Sequence, residues 1–148
     1  MEQQNFEALF LKNQLCFPLY ASARETVKLY KPYLDELDLT YTQYITMMVL
    51  WEKKMVTVKS LGERLYLDSG TLTPLLKKLE AKGLVIRRRS DEDERNLNVS
   101  LTEAGEALRE KAAHIPGEMM KVVVLDQEER RQLYQLLYKL LSGRPESK

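Results

Sequence analysis

The sequence predicts a mainly helical chain with one small β-hairpin, on three observations. Long segments carry apolar residues at helical spacing, two short segments alternate apolar and polar residues, and a Gly-containing polar turn joins two of the predicted helices. From Phe6 to about Tyr30, apolar residues recur at Phe6, Phe10, Phe17 and Ala21 and at Leu9, Leu15, Leu19 and Ala23, covering much of a helix circumference. Such a helix is expected to lie between partners. Pro18 predicts a kink by removing the bond to the Gln14 carbonyl, and Lys31-Pro32 predicts the helix end. Thr40 or Thr42 then caps a second helix, with Tyr44, Ile45, Met48, Val49 and Trp51 as its core face.

Val58, Leu61 and Leu65 mark a third helix, and Asp68-Ser69-Gly70-Thr71 separates it from a fourth, Leu72 to Lys82. Two short helices around a tight turn predict a helix-turn-helix. Ser69 or Thr71 is the expected cap, and Pro74 fits best when Thr71 caps, because it then falls in the first turn. Gly83 has the position of a helix C-terminal glycine. Leu84-Val85-Ile86 with Arg87-Arg88-Arg89 reads as one strand and Leu97, Val99 and Leu101 as its hairpin partner, with the charged segment 90–96 projecting between them as a wing. Thr102 caps a helix containing Ala104, Leu108 and Ala112, broken around Pro116-Gly117. A last helix from about Asp126 to Leu141 carries Leu133, Leu136, Leu137, Leu140 and Leu141, a stripe that needs a partner.

The length of 148 residues predicts one domain. With 23 basic and 22 acidic residues the chain has a formal net charge of +1, so attraction to an acidic partner must come from clustering. Clustering is present: between Thr71 and Arg89 the positive residues Lys77, Lys78, Lys82, Arg87, Arg88 and Arg89 face only Glu80, whereas residues 1–50 are net acidic. A basic run alone is usually a solvated face. Here it coincides with a helix-turn-helix and a basic hairpin, which is the footprint of phosphate contact with double-stranded DNA. Ser69, Gly70, Thr71, Thr73 and Pro74 form a helix start whose free N–H groups and short hydroxyls suit phosphates and base edges. Arg95 is placed to reach a minor groove, with Asp93 holding its guanidinium.

Other classes recede. The longest uncharged stretch, Leu39 to Trp51, is too short for a membrane span, and Glu2 and Glu7 precede the first Lys, so a cytoplasmic protein without a signal peptide is expected. One cysteine, Cys16, and one histidine, His114, provide neither a disulfide framework nor a metal site, and no cofactor is expected. A thiol peroxidase would need a resolving cysteine or a second catalytic group, and none is visible, so an enzyme is not expected.

The run from Ser60 through Gly62, Leu67-Asp68-Ser69-Gly70-Thr71-Leu72-Thr73-Pro74 to Glu80, with Asp91-Glu92-Asp93-Glu94-Arg95 and Ser100 to Gly105, resembles the DNA-binding region of MarR-family repressors. Asn13-Gln14-Leu15-Cys16-Phe17, with Tyr20 and Tyr30 downstream, is similar to the one-cysteine, organic-hydroperoxide-sensing branch. The resemblance implies a winged helix-turn-helix homodimer, with residues 40–101 as the DNA-binding region and 1–32 and 102–148 as the helical dimerisation region. It also implies that a pseudo-palindromic operator is released when Cys16 is oxidised by an organic hydroperoxide and capped by a small thiol, with Tyr20 and Tyr30 hydrogen-bonding the thiolate. The residues agree in part. Tyr20 shares a helix face with Cys16, whereas Tyr30 is about 21 Å along a continuous helix at about 1.5 Å per residue and can meet only a partner subunit's cysteine. A ligand-responsive repressor with an incidental Cys16, opened by phenolic or other aromatic inducers, and a broader redox-sensing global regulator stay open as alternatives.

Overall fold

The computed structural model describes residues 5–92 and 96–145. They fall into two compact units, one ending at Ile115 and the other beginning at Pro116.

In the first unit, two 3-10 turns, Phe6–Leu9 and Leu11–Asn13, precede helix α1, Cys16–Glu36. The predicted single helix from Phe6 is therefore divided. Side chains explain where: the Asn13 amide donates to the Glu7 carbonyl at 2.7 Å and the Gln14 amide to the Ala8 carbonyl at 2.6 Å, closing the segment on itself and leaving Gln14 extended. Because α1 starts at Cys16, Pro18 occupies the first turn, where N–H groups have no intrahelical acceptor, and the expected kink has no cause. At the other end α1 passes through Pro32 to Glu36 instead of stopping. The carbonyl that Pro32 leaves unbonded belongs to Lys28, on the solvent side, while Leu34, Leu37 and Leu39 are buried and hold the last turn in the core.

Helix α2, Tyr41–Lys53, opens with a capping box in which the Thr40 hydroxyl accepts from the Gln43 N–H and the Gln43 carboxamide oxygen from the Thr40 N–H. Its core face is Tyr44, Met47 and Leu50, with Gln43 and Thr46 also buried; Met48, expected inside, is exposed. Strand β1, Met55–Thr57, leads into α3, Val58–Leu65, capped by Thr57. Tyr66 takes a left-handed conformation in the turn (φ 56°), and Gly62 lies so close to the Leu67 carbonyl that an added Cβ would stand 2.7 Å from its oxygen.

Helix α4 is Ser69–Ala81, and its cap is Asp68, whose carboxylate accepts the Thr71 N–H at 2.7 Å. Neither Ser69 nor Thr71 caps it. An ionised carboxylate is a stronger acceptor than a hydroxyl at a helix N-terminus, so the start moves upstream and Pro74 falls inside the helix. Leu72, Leu75, Leu76 and Leu79 are buried. Gly83, at φ 76°, ends the helix as expected, its N–H bonding the Glu80 carbonyl and that of Leu84 the Leu79 carbonyl. Strands β2, Val85–Arg89, and β3, Leu97–Leu101, pair antiparallel with Arg87 opposite Val99, and the Ser90 N–H donates to the Asn96 carbonyl at 2.7 Å. The expected hairpin is thus enlarged to a three-stranded sheet, ordered β1-β3-β2. Helix α5, Glu103–Ala112, starts at Thr102 as expected. The Trp51 indole donates to the Gly105 carbonyl at 2.9 Å, pinning α5 to α2.

Helix α6, Ile115–Val122, runs across the boundary between the units, with Pro116 and Gly117 in its first turn, so the break falls just before them. In the second unit α7, Gln127–Ser142, is capped by Asp126 in a capping box with Glu129. Leu133, Leu136 and Leu140 of its stripe are exposed. No helix of the described residues is long and apolar enough to cross a membrane, and among them no group of His, Cys, Asp and Glu is gathered to hold a metal ion.

Candidate nucleic-acid interface and thiol site

Helix α4 divides cleanly by side-chain chemistry. Its four leucines are buried, while Ser69, Gly70, Thr71, Thr73, Pro74, Lys77 and Lys78 are all exposed. The outer surface of the second helix of a helix-turn-helix therefore carries hydroxyls at its start and two ammonium groups further along, the arrangement needed to approach bases and then phosphates.

The basic run that follows is not uniform. Arg88 and Arg89 are exposed on β2, but Arg87 is turned inward. Its N–H donates to Glu80 Oε2 at 2.9 Å and its Nη2 to Glu80 Oε1 at 3.1 Å, while its Nε is buried without a hydrogen bond. These contacts, first the backbone N–H and then the guanidinium, hold the Glu80 carboxyl below its ordinary range. In the described structure Arg87 thus braces α4 against β2. Lys82 also turns away, toward the corner between α1 and α2. Asp93 and Arg95 lie outside the described residues.

Cys16 is the first residue of α1 and is exposed, between exposed Leu15 and Phe17. Tyr20 stands one turn further on, exposed, with the Arg24 guanidinium 5.5 Å from its ring centre. Tyr30 lies in the same unbroken helix, so it cannot reach Cys16 of its own chain. Instead it packs on two tyrosines that sequence reasoning missed: its ring is 5.0 Å from that of Tyr41 and 5.8 Å from that of Tyr44. Tyr44 in turn meets Trp51 edge-on at 6.3 Å. A group that reaches Tyr30 from outside also meets Tyr41. Only the turn of chain at Asp38 and Leu39 brings these rings together, and no local spacing announces it. Burial pushes the phenols of Tyr30, Tyr41 and Tyr44 above their ordinary value, and repulsion from Tyr30 adds to this in the other two. At neutral pH all three are protonated donors.

Comparison with known proteins agrees with this arrangement. Residues 28–112, from mid-α1 through α5, match the family described as transcriptional regulator SarA/Rot. The organic hydroperoxide resistance transcriptional regulator of Bacillus subtilis (strain 168) is 52% identical over 94% of this chain and 95% of its own. The HTH-type transcriptional regulator SarZ of Staphylococcus aureus (strain USA300) is 53% identical over 74% of each chain. Among solved structures, reduced AbfR bound to DNA is 34% identical with a TM-score of 0.77, covering 92% of this chain and 95% of that one. The chain belongs to the SarA/Rot transcriptional regulators of the winged-helix, MarR type, in the branch of the organic hydroperoxide resistance regulators.

Proposed function

We propose that this protein is a homodimeric repressor that binds a pseudo-palindromic DNA operator and releases it when an organic hydroperoxide oxidises Cys16. The observation that carries the DNA half is the exposed face of α4, where every outward residue from Ser69 to Lys78 is small, hydroxylated or basic. Two such helices, one per subunit, would enter successive major grooves, and Arg88, Arg89 and the wing, with Arg95 and Asp93, would follow the flanking backbone and minor groove. Residues 40–101 form the DNA-binding region in this reading. Residues 1–32 and 102–148 form the dimerisation region, consistent with the exposed apolar surface that α1 and α7 each carry.

The redox half rests on Cys16, exposed in the first turn of α1 among apolar side chains, and on its similarity to a hydroperoxide-resistance regulator. Its thiolate attacks the peroxide O–O bond; one oxygen stays on sulfur as the sulfenic acid and the other leaves as the alcohol. A small thiol then condenses with the sulfenic acid to a mixed disulfide, releasing water. Tyr20 of one subunit and the Tyr30–Tyr41 pair of the other would donate hydrogen bonds to the sulfur or its oxygen. A bulkier, more polar group there would displace these tyrosines.

The DNA half is tested by titrating a labelled duplex from upstream of the protein's own gene at several salt concentrations. Lys77→Ala is expected to weaken binding across sequences and to lower the logarithmic salt slope by about 0.9. An unchanged slope and affinity would remove α4 from the interface. Repeating the titration after hypochlorite, hydrogen peroxide or cumene hydroperoxide separates an organic-hydroperoxide sensor from a broader redox regulator.

A further inference from the structure

The geometry points to Lys82 as a positioning residue that ties the recognition helix α4 to the far end of the cysteine-bearing helix. This inference rests on the redox reading above and names the connection through which it would act. Helix α1 closes at Leu37, Asp38 reverses the chain in a left-handed conformation at φ 53°, and Thr40 caps α2. Tyr41, which packs on Tyr30, is the first residue of α2. Any displacement of the tyrosine pair therefore bears on the first turn of α2 and on its capping box.

Lys82, the last residue of α4 before Gly83, is bound to that same turn. Its ammonium donates to the Asp38 carbonyl, donates to Gln43 Oε1 at 3.3 Å and lies 3.5 Å from the Asp38 carboxylate. Gln43 is only 4% exposed, and its Oε1 already accepts the Thr40 N–H at 3.1 Å. One buried amide oxygen thus joins the capping box of α2 to the C-terminus of α4. Beside the tether runs an open groove of about 620 Å³, lined by Asp35, Leu39, Lys78 and Ala81 among others, so along this side a polar link bridges the two elements. The link is charge-assisted and short-ranged, which makes it sensitive to small shifts of the corner.

With Lys82 in place, movement of Tyr30 and Tyr41 is passed to the end of α4 and alters how its outer face meets DNA. Without it, Cys16 is still oxidised but α4 is no longer pulled. The basic charge of Lys82 serves here inside the protein, and its contacts leave Lys77, Lys78 and Arg88 as the outward cations of the region.

The test compares the full-length native protein with Lys82→Met, Lys82→Arg and Gln43→Glu. For each, the Kd for the operator duplex is measured reduced and after cumene hydroperoxide plus free cysteine, with intact mass reporting the adduct at Cys16. The oxidised-to-reduced Kd ratio is expected to fall by at least about fivefold in Lys82→Met, at an unchanged extent of Cys16 modification. It should stay within about twofold of native in Lys82→Arg, which keeps the charge, and be no lower than native in Gln43→Glu, which keeps the acceptor and adds a charge for Lys82. A native ratio in Lys82→Met, or a reduced ratio in Gln43→Glu, overturns the tether. A native protein whose own ratio is one overturns the redox reading first and the tether with it, so the two failures are told apart by the native control.

Discussion

Arg87 and Arg88 are neighbours in one basic run, yet they face different partners. Arg88 is exposed on β2, whereas Arg87 gives its N–H and guanidinium to Glu80 and so fastens α4 to the sheet. The run was legible as basic, but its division was not, because the partner Glu80 sits seven residues back on a different element and strand alternation alone does not say which face a carboxylate will cover. A pH dependence follows. Since the Glu80 carboxyl is held below its ordinary value near 4.5, the folded chain gains stability above that value and loses it as pH falls through the lowered one. Thermal unfolding of Glu80→Gln should therefore be less sensitive than that of native protein between about pH 6 and about pH 3. Parallel loss of stability in both proteins over that range would contradict the role given to this contact. Tyr41 escaped sequence reading for a similar reason: it meets Tyr30 only after the chain turns at Asp38, a residue whose left-handed conformation has no glycine to announce it.

At the scale of elements, the three prolines of α1 and α4 show how a helix start decides what proline costs. Pro18 was expected to kink α1, but the Asn13 and Gln14 side chains end the preceding turns and place it at the third helical position. Pro32 and Pro74 lie inside their helices, Pro32 held there by buried leucines and Pro74 because Asp68 captures the cap. Pro18→Ala should change stability by less than about 1 kcal/mol, whereas Pro74→Ala, which restores an N–H facing the Gly70 carbonyl, should raise it by about 1 kcal/mol or more. Chemical denaturation of the two variants checks this, and equal effects would contradict the assigned helix starts. Helices with strong periodicity and caps, α2, α3, α5 and α7, were readable. Strand β1 was not: three residues have no period, and Met55–Thr57 becomes a strand only by pairing with β3. The core face of α2 was misread at Met48 because adjacent methionines give the pattern no preference until Met47 is packed.

For the whole molecule, the apolar surface left open by a single chain is the feature that a second subunit would satisfy. Leu9, Leu15 and Phe17 around the thiol are exposed, and so, in the second unit, are Leu136 and Leu140 of α7. Single apolar residues at a surface are ordinary, but stripes along whole helices are not. Leu136→Asp should shift the protein from dimer to monomer in sedimentation equilibrium and weaken operator binding with it; an unchanged mass would take α7 out of the interface. The chemistry of the DNA-binding face and the identity of the sensing thiol were legible from residue type and spacing, whereas the connection between them depends on contacts across the chain. The central claim, that Cys16 governs DNA binding, is tested most directly by operator affinity of native protein and Cys16→Ser before and after a stoichiometric amount of cumene hydroperoxide with free cysteine. Native protein should lose affinity by at least about tenfold while Cys16→Ser binds as before under both conditions. Equal responses of the two proteins, whether both release DNA or both hold it, would contradict the account.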